Sequence, residues 1–174
     1  MTQSSNQQEV DSVSVMVRMT NTINFLKDGT FSDLLSITEK VAKDILEPFM
    51  DTNDKKIRQR YGYHLSEIGA PHHLTILLRR LMDVGMETRD GWVRMRVIRS
   101  VFLCYADANL KMAGDLGRSG VLKIMLNDLD ECGTISSKNE VISKSPLTLR
   151  AFSVSILCFY LLSHFKSKDL FRLI

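Results

Sequence analysis

Residues 92–105, WVRMRVIRSVFLCY, decide how this chain is read, because residues 147–159 repeat their pattern fifty-four positions later. At about 100° per residue, Val93, Val97, Val101, Cys104, Tyr105, Ile98, Phe102 and Met95 cover a continuous apolar arc of a helix. That arc spans roughly 200°, about twice the stripe of a helix resting on a surface. Such a helix must be covered on two sides. Shifted by fifty-four, Leu147, Ala151, Ser155, Cys158, Phe159, Phe152, Ile156 and Leu149 fill the same positions, while Arg96, Leu103 and Cys104 recur as Arg150, Leu157 and Cys158. The sequence predicts one helix type used twice, with both cysteines buried.

Working outward, Val10, Val13, Val17, Asn21 and Asn24 on one side, and Met16, Met19, Ile23 and Leu26 on another, predict a helix from Glu9 to Lys27, stopped at Asp28-Gly29. Thr30 is placed to cap the next helix with Asp33 at the capping-box position. Phe31, Leu34, Leu35, Val41, Ala42, Ile45, Leu46 and Phe49 keep helical spacing up to Pro48, which discourages helical geometry at Glu47. Turn residues 51–54 follow. Ile57, Tyr61, Leu65 and Ile68 predict a short helix ending at Gly69, and Leu74, Leu77, Leu78 and Leu81 a second one after Pro71. A loop over 85–91 leads into the long helix, and 106–109 interrupts the pattern after it. Leu110, Ala113 and Leu116 predict a helix ending at Gly117, followed by helices over 120–129 and 146–165 with a polar loop at 130–145 between them. Lys166 begins a further short helix that is cut off at Ile174.

A second correspondence has a spacing of forty-eight: Gly69, Leu74, Ile76, Leu78 and Leu81 recur as Gly117, Leu122, Ile124, Leu126 and Leu129. Short helix, glycine elbow, second helix, loop and long buried helix form an order that resembles the armadillo and HEAT-like repeat superfamily, whose units run about forty to forty-seven residues. The expected fold is an all-α, armadillo-like right-handed stack of about eight helices. Residues 1–8 form a polar lead and 9–165 a single domain, made of a helix pair at 9–50 and repeats at 54–106 and 107–165; 166–174 begin a truncated helix. The resemblance implies that the third helices line a concave surface. Its asparagine ladder for extended peptides is not implied, because Leu103 and Leu157 stand where that residue would be.

Composition narrows the function classes. With 44% apolar and 25% charged residues, three prolines and nine glycines, the chain is an ordinary helical globular protein, long enough to bury a core without metals or disulfides. Its net charge of +3, from 23 basic and 20 acidic residues, does not by itself indicate nucleic acid or an anionic membrane. Basic residues do concentrate in the middle third, where ten stand against six acids, so nucleic-acid binding there is the alternative reading. Cys104, Cys132 and Cys158 are odd in number with two on buried arcs, the pattern of a reducing, cytoplasmic setting. The amino terminus lacks the order of a signal peptide, and the apolar run Ala151–Leu162 is shorter than the ~20 residues of a membrane span.

Neither catalytic nor metal-binding residues emerge. His72 and His73 point about 100° apart on a helix, with no thiol or carboxylate set to complete a metal site. Gly114, Gly117 and Gly120 mimic a phosphate cradle without the following lysine or the preceding strand. The cysteines lack an assignable base, and the acids Asp128, Asp130 and Glu131 have no counterpart cluster. The expectation is therefore a non-catalytic protein–protein interaction module without cofactors. Its partner is another protein or a further domain of a longer chain, such as an enzyme that the repeat domain inhibits. The expected partner-binding residues are Arg96, Arg99 and Leu103 in one unit and Arg150 and Leu157 in the next, an apolar centre with a charged rim. Self-association through the carboxyl-terminal edge is also expected, since the helix over 146–165 has an arc built to be covered on both sides.

Overall fold

The structure is a computed structural model and describes residues 3–28, 33–83, 89–108, 110–126 and 156. Among these, every regular element is helical: α1 (Gln3–Asp28), α2 (Leu34–Val41), a π-helical turn (Ala42–Leu46), α3 (Glu47–Asp51), α4 (Lys55–Glu67), α5 (Ala70–Asp83), α6 (Arg89–Ala108) and α7 (Leu110–Ser119). Residues 121–126 are again helical after a turn at Gly120. Helix α6 is the centre. It packs against α2, the π turn, α4, α5 and α7, and Met95, Ile98, Val101, Phe102 and Tyr105 are almost completely buried in one core with Leu65, Leu74, Leu78 and Phe49.

Helix α1 begins inside the stretch read as a polar lead and buries only one of its two apolar sides. Met19, Ile23 and Leu26 enter the core together with Ser12 and Thr22, while Val13 and Val17 are more than half exposed. The cap expected at Thr30 is supplied by Asp33, whose carboxylate accepts from the Leu35 and Ser36 amides at 2.9 and 3.3 Å. Residues 29–32 lie outside the described set.

Pro48 does not end the helix. In a straight α-helix its ring would meet the Asp44 carbonyl and its missing N–H would leave that carbonyl unbonded. The chain instead inserts the π turn, in which the Glu47 amide bonds to Ala42 O, five residues back. The extra residue lets helical geometry continue through Pro48 to Asp51. Phe49 then meets Tyr61 edge-on at 5.8 Å, tying α3 to α4.

Helices α1, α4 and α7 lie side by side and run in the same direction. Arg60 Nη1 donates to Ser12 Oγ at 3.3 Å, and His64 Nε2 stands 3.0 Å from Met16 O, both across an offset of forty-eight residues. Ser66 Oγ donates to Asp115 Oδ2 at 2.5 Å, across forty-nine. Bonds that advance together along both helices require parallel axes. Gly62 allows the α4–α7 approach: a Cβ there would lie 2.5 Å from Met112 Sδ and 3.2 Å from Ala108 Cβ.

The glycine elbow of the second unit is Gly120 rather than Gly117. Helix α7 continues through Gly117 to Ser119, and the positive φ values fall at Gly69 (73°) and Gly120 (82°). Each of these glycines donates its amide to the carbonyl three residues back, Ser66 and Gly117 respectively. The internal correspondence therefore has a spacing of fifty-one. Tyr61, Leu65, Ala70 and Leu74 match Met112, Leu116, Val121 and Met125, and all eight are buried. The spacing of forty-eight fails at Leu78 and Leu126, of which one is fully buried and the other 51% exposed. A paired substitution checks this. Gly120→Ala is expected to cost about 1–2 kcal/mol, because a side chain disfavours the left-handed region, whereas Gly117→Ala in the helix interior is expected to add about 0.5–1 kcal/mol. Urea midpoints in the opposite order would move the elbow back to Gly117.

Residues 127–155 and 157–174 lie outside the described set, and with them the loop at 130–145, most of the helix expected over 146–165 and the carboxyl-terminal edge. Ile156 is helical and fully buried.

Candidate functional site

The buried arc of α6 differs from the expected one at both ends. Val93 is 57% exposed and Val97 is only partly covered, while the arc runs on past Met95 to Arg99, whose side chain has 0% exposure. Arg99 therefore does not belong to a partner-facing surface. The cause is the segment after the Gly120 elbow, which lays Met125 on this side of α6 and leaves Arg99 Nη1 3.4 Å from Met125 Sδ. An arginine tolerates the position because its long aliphatic stem packs like an apolar side chain.

What remains open on α6 is a narrow strip: Val93, Arg96, Ser100, Leu103 and Asp107. Their spacings of three, four, three and four keep them within roughly 80° of the helix circumference. Val93, Arg96 and Asp107 are exposed, and Ser100 and Leu103 are half-buried. Of the expected partner-binding residues, Arg96 and Leu103 stand together on this strip, Arg99 is beneath the surface, and Arg150 and Leu157 lie outside the described residues. Sequence reading missed Val93 because it served as the reference of the apolar arc, and Asp107 because 106–109 reads as a break. The spacing itself was the available signal.

Charges on and beside the strip are unequal. Asp107 forms an ion pair with Arg58 at 2.9 Å. Arg96 has no ionic partner among the described residues. Lys123 and Leu126, on the segment that covers the Arg99 side of α6, are exposed as well.

Two polar clusters elsewhere hold helices together. Asp115 accepts from Ser66 at 2.5 Å, from Tyr105 Oη at 2.8 Å and from Arg118, joining α4, α6 and α7. Burial pushes its carboxyl up, but those three donors outweigh it and hold it below the ordinary carboxylate value. Burial drives the Tyr105 phenol far above its ordinary range, with the Asp115 charge adding to the rise and Ser66 opposing it. Beside this clamp an open cleft of about 210 Å³ is bordered by Ser66, His72, Arg118 and Ser119. The donors to Asp115 come from α4, α6 and α7 itself.

The second cluster is at the π turn. Thr22 Oγ1 donates to Asp44 Oδ2 at 2.7 Å and Lys40 Nζ stands 3.0 Å from the same oxygen. Burial raises the Asp44 pKa, and Thr22, Lys40 and Arg18 more than reverse the shift. A neighbouring groove of about 490 Å³ between α1, α3 and α4 is rimmed by both signs, with Asp11, Glu47 and Asp51 against Arg18 and Lys43.

His72 and His73 meet edge-on at 5.2 Å, and among the described residues no group of three or more His, Cys, Asp or Glu side chains could hold a metal ion. Cys104 is a buried free thiol, pushed up by burial against the pull of Arg58. Cys132, Cys158 and the acids at 128–131 lie outside the described residues. Among the described residues no helix is long and apolar enough to cross a membrane. No family model matches the chain, and no curated protein or solved structure is detectably similar to it.

Proposed function

We propose that this chain is a non-catalytic protein–protein interaction module, built of stacked helical units in the manner of armadillo and HEAT-like repeats and acting in the reducing environment of the cytoplasm. The observation that carries this reading is the parallel row of α1, α4 and α7, linked at offsets of forty-eight and forty-nine residues. Units set side by side through equivalent helices extend a surface laterally without a cofactor, which is the property repeat proteins use to bind other proteins. Arg96 and Leu103 supply the partner face in the first unit, with Arg150 and Leu157 as their counterparts in the next. The buried, free thiol of Cys104 fits a compartment without disulfides. Nucleic acid fits the strip less well, because Asp107 shares it with Arg96 and Arg99 is buried.

The test is a purified chain carrying a photo-crosslinking residue in turn at Ser100, at Leu103 and at exposed positions of α1 and α5, challenged with extract and read by mass spectrometry. A saturable protein crosslink is the expected result. Arg96→Glu should reduce it at least tenfold while changing the unfolding free energy by less than about 0.5 kcal/mol, as befits an exposed residue. Absence of any protein crosslink at all positions would sink the reading.

A further inference from the structure

We infer that the groove between α1, α3 and α4 binds a short peptide with free ends, its ammonium held at Asp11 and Asp51 and its carboxylate at Arg18 and Lys43. The groove shares no residue with the α6 strip, and its volume of about 490 Å³ falls within the range of roughly 300–1,000 Å³ typical of small-molecule sites. None of these four side chains, nor Glu47, forms an ion pair with a described residue. The direction of the two walls keeps the signs apart. Thr22 bonds to Asp44 at 2.7 Å, whereas Phe49, five residues on, meets Tyr61, whose neighbour Arg60 reaches back to Ser12. As the chain advances from 44 to 49 it thus retreats along α1 from 22 towards 12, so the walls are antiparallel. Arg18 and Lys43 fall towards one end of the groove, Asp11 and Asp51 towards the other, and Glu47 between them.

Length selects the ligand. Asp11 and Arg18 are seven helical steps of about 1.5 Å apart, roughly 10 Å, and an extended peptide covers that distance with about three residues at ~3.5 Å each. A single amino acid spans only one such step and reaches one pole. A segment inside a longer chain presents neutral amides at both ends and leaves the charges there unmatched. Between the poles, Val15 and Ile57 are half-buried and offer apolar contact to a middle side chain. The second, independent sign of a ligand is Tyr61. Its side chain lines the groove and is only 5% exposed, yet its hydroxyl has no hydrogen-bond partner among the described residues. Burial raises the pKa of this phenol, and of the charges that act on it next, Arg18, Arg60 and Asp11, the first and last stand on the groove wall. Buried hydroxyls are almost always bonded, and a peptide carbonyl lying in the groove supplies the acceptor that the protein does not.

Four probes test this on the whole chain: the tripeptide Ala-Leu-Ala, its amino-acetylated form, its carboxyl-amidated form, and free leucine. Binding is read by amide shifts on the labelled protein and by calorimetry. The free tripeptide is expected to bind saturably, to shift Val15, Thr52 and Ile57, and to bind at least tenfold more tightly than each of the other three. Arg18→Gln with Lys43→Gln should erase the penalty of amidation while keeping that of acetylation, and Asp11→Asn with Asp51→Asn should do the converse. A merely structural role for these exposed side chains would not separate the two ends. Tyr61→Phe should weaken the tripeptide at least threefold and leave the melting temperature unchanged, because the hydroxyl it removes has no partner to lose. No saturable binding, equal affinity for free and blocked peptides, leucine binding as tightly as the tripeptide, or shifts confined to other helices would each overturn the proposal. So would a Tyr61→Phe variant that melts earlier and binds like the parent.

Discussion

Arg99→Ala is expected to lower the unfolding free energy by about 4 kcal/mol, the range of large-to-alanine changes in a packed core. Arg99 has no exposed surface; it shares its face of α6 with the buried Met95, Phe102 and Ala106, and Met125 stands against its guanidinium. Truncation removes the stem that fills this space, and the surrounding helices close it only in part. Arg99→Met keeps most of the volume that the stem fills, so it is expected to cost less than Arg99→Ala. Arg96→Ala, one turn away and exposed, should change stability by less than about 0.5 kcal/mol. Urea unfolding of the three variants decides the matter. Equal, small effects of Arg99→Ala and Arg96→Ala would return Arg99 to the surface.

Asp115→Ala is the second large effect, about 3 kcal/mol at neutral pH, because it leaves the buried Tyr105 hydroxyl and the Ser66 hydroxyl without their acceptor. Tyr105→Phe alone should cost about 1 kcal/mol. Combined with Asp115→Ala it should add little, since the hydroxyl orphaned by the first change is removed by the second. The pH dependence follows from the depressed Asp115 pKa. Relative to an unfolded value of 3.8, the folded carboxyl binds its proton less readily, so its contribution is complete above 3.8 and is lost as the pH falls through the lower folded value. Asp44 acts in the same direction. Tyr105 gives the opposite limb: its raised pKa means that stability declines as the pH rises above 10. Stability measured from pH 2 to 7 should fall steeply at the acid end in the parent and less so in Asp115→Asn. An identical acid limb in that variant would remove Asp115 from the account.

The polar clusters were not legible in the sequence because their members are far apart along the chain. Thr22 and Asp44, or Ser66 and Asp115, carry no shared pattern, and only the packing of α1 on the π turn and of α4 on α7 brings them within bonding distance. Helix existence was legible across the described residues, since apolar residues at helical spacing over Leu74–Leu81 or Met95–Tyr105 can be buried together on only one kind of element. Helix ends were less so. Pro48 reads as a stop by local sterics, yet burial of Phe49 against Tyr61 and a single π turn carry the helix through it. Gly117 and Gly120 are equivalent to any local rule, and only the backbone conformation chooses between them.

The amino-acid order by itself therefore determined the helical character of the described residues, their organisation around α6 and the burial of Cys104. Tertiary structure decided the rotation of α6 in its socket: Val93 outside, Arg99 inside, and a strip at spacings of three and four left open between them. The reason is physical. A periodic pattern specifies an apolar arc only to within the width of its flanking residues, and a long, partly aliphatic side chain such as arginine satisfies either side of that edge. Which side it takes depends on whether another helix arrives to cover it, and here the segment that follows Gly120 does, through Met125.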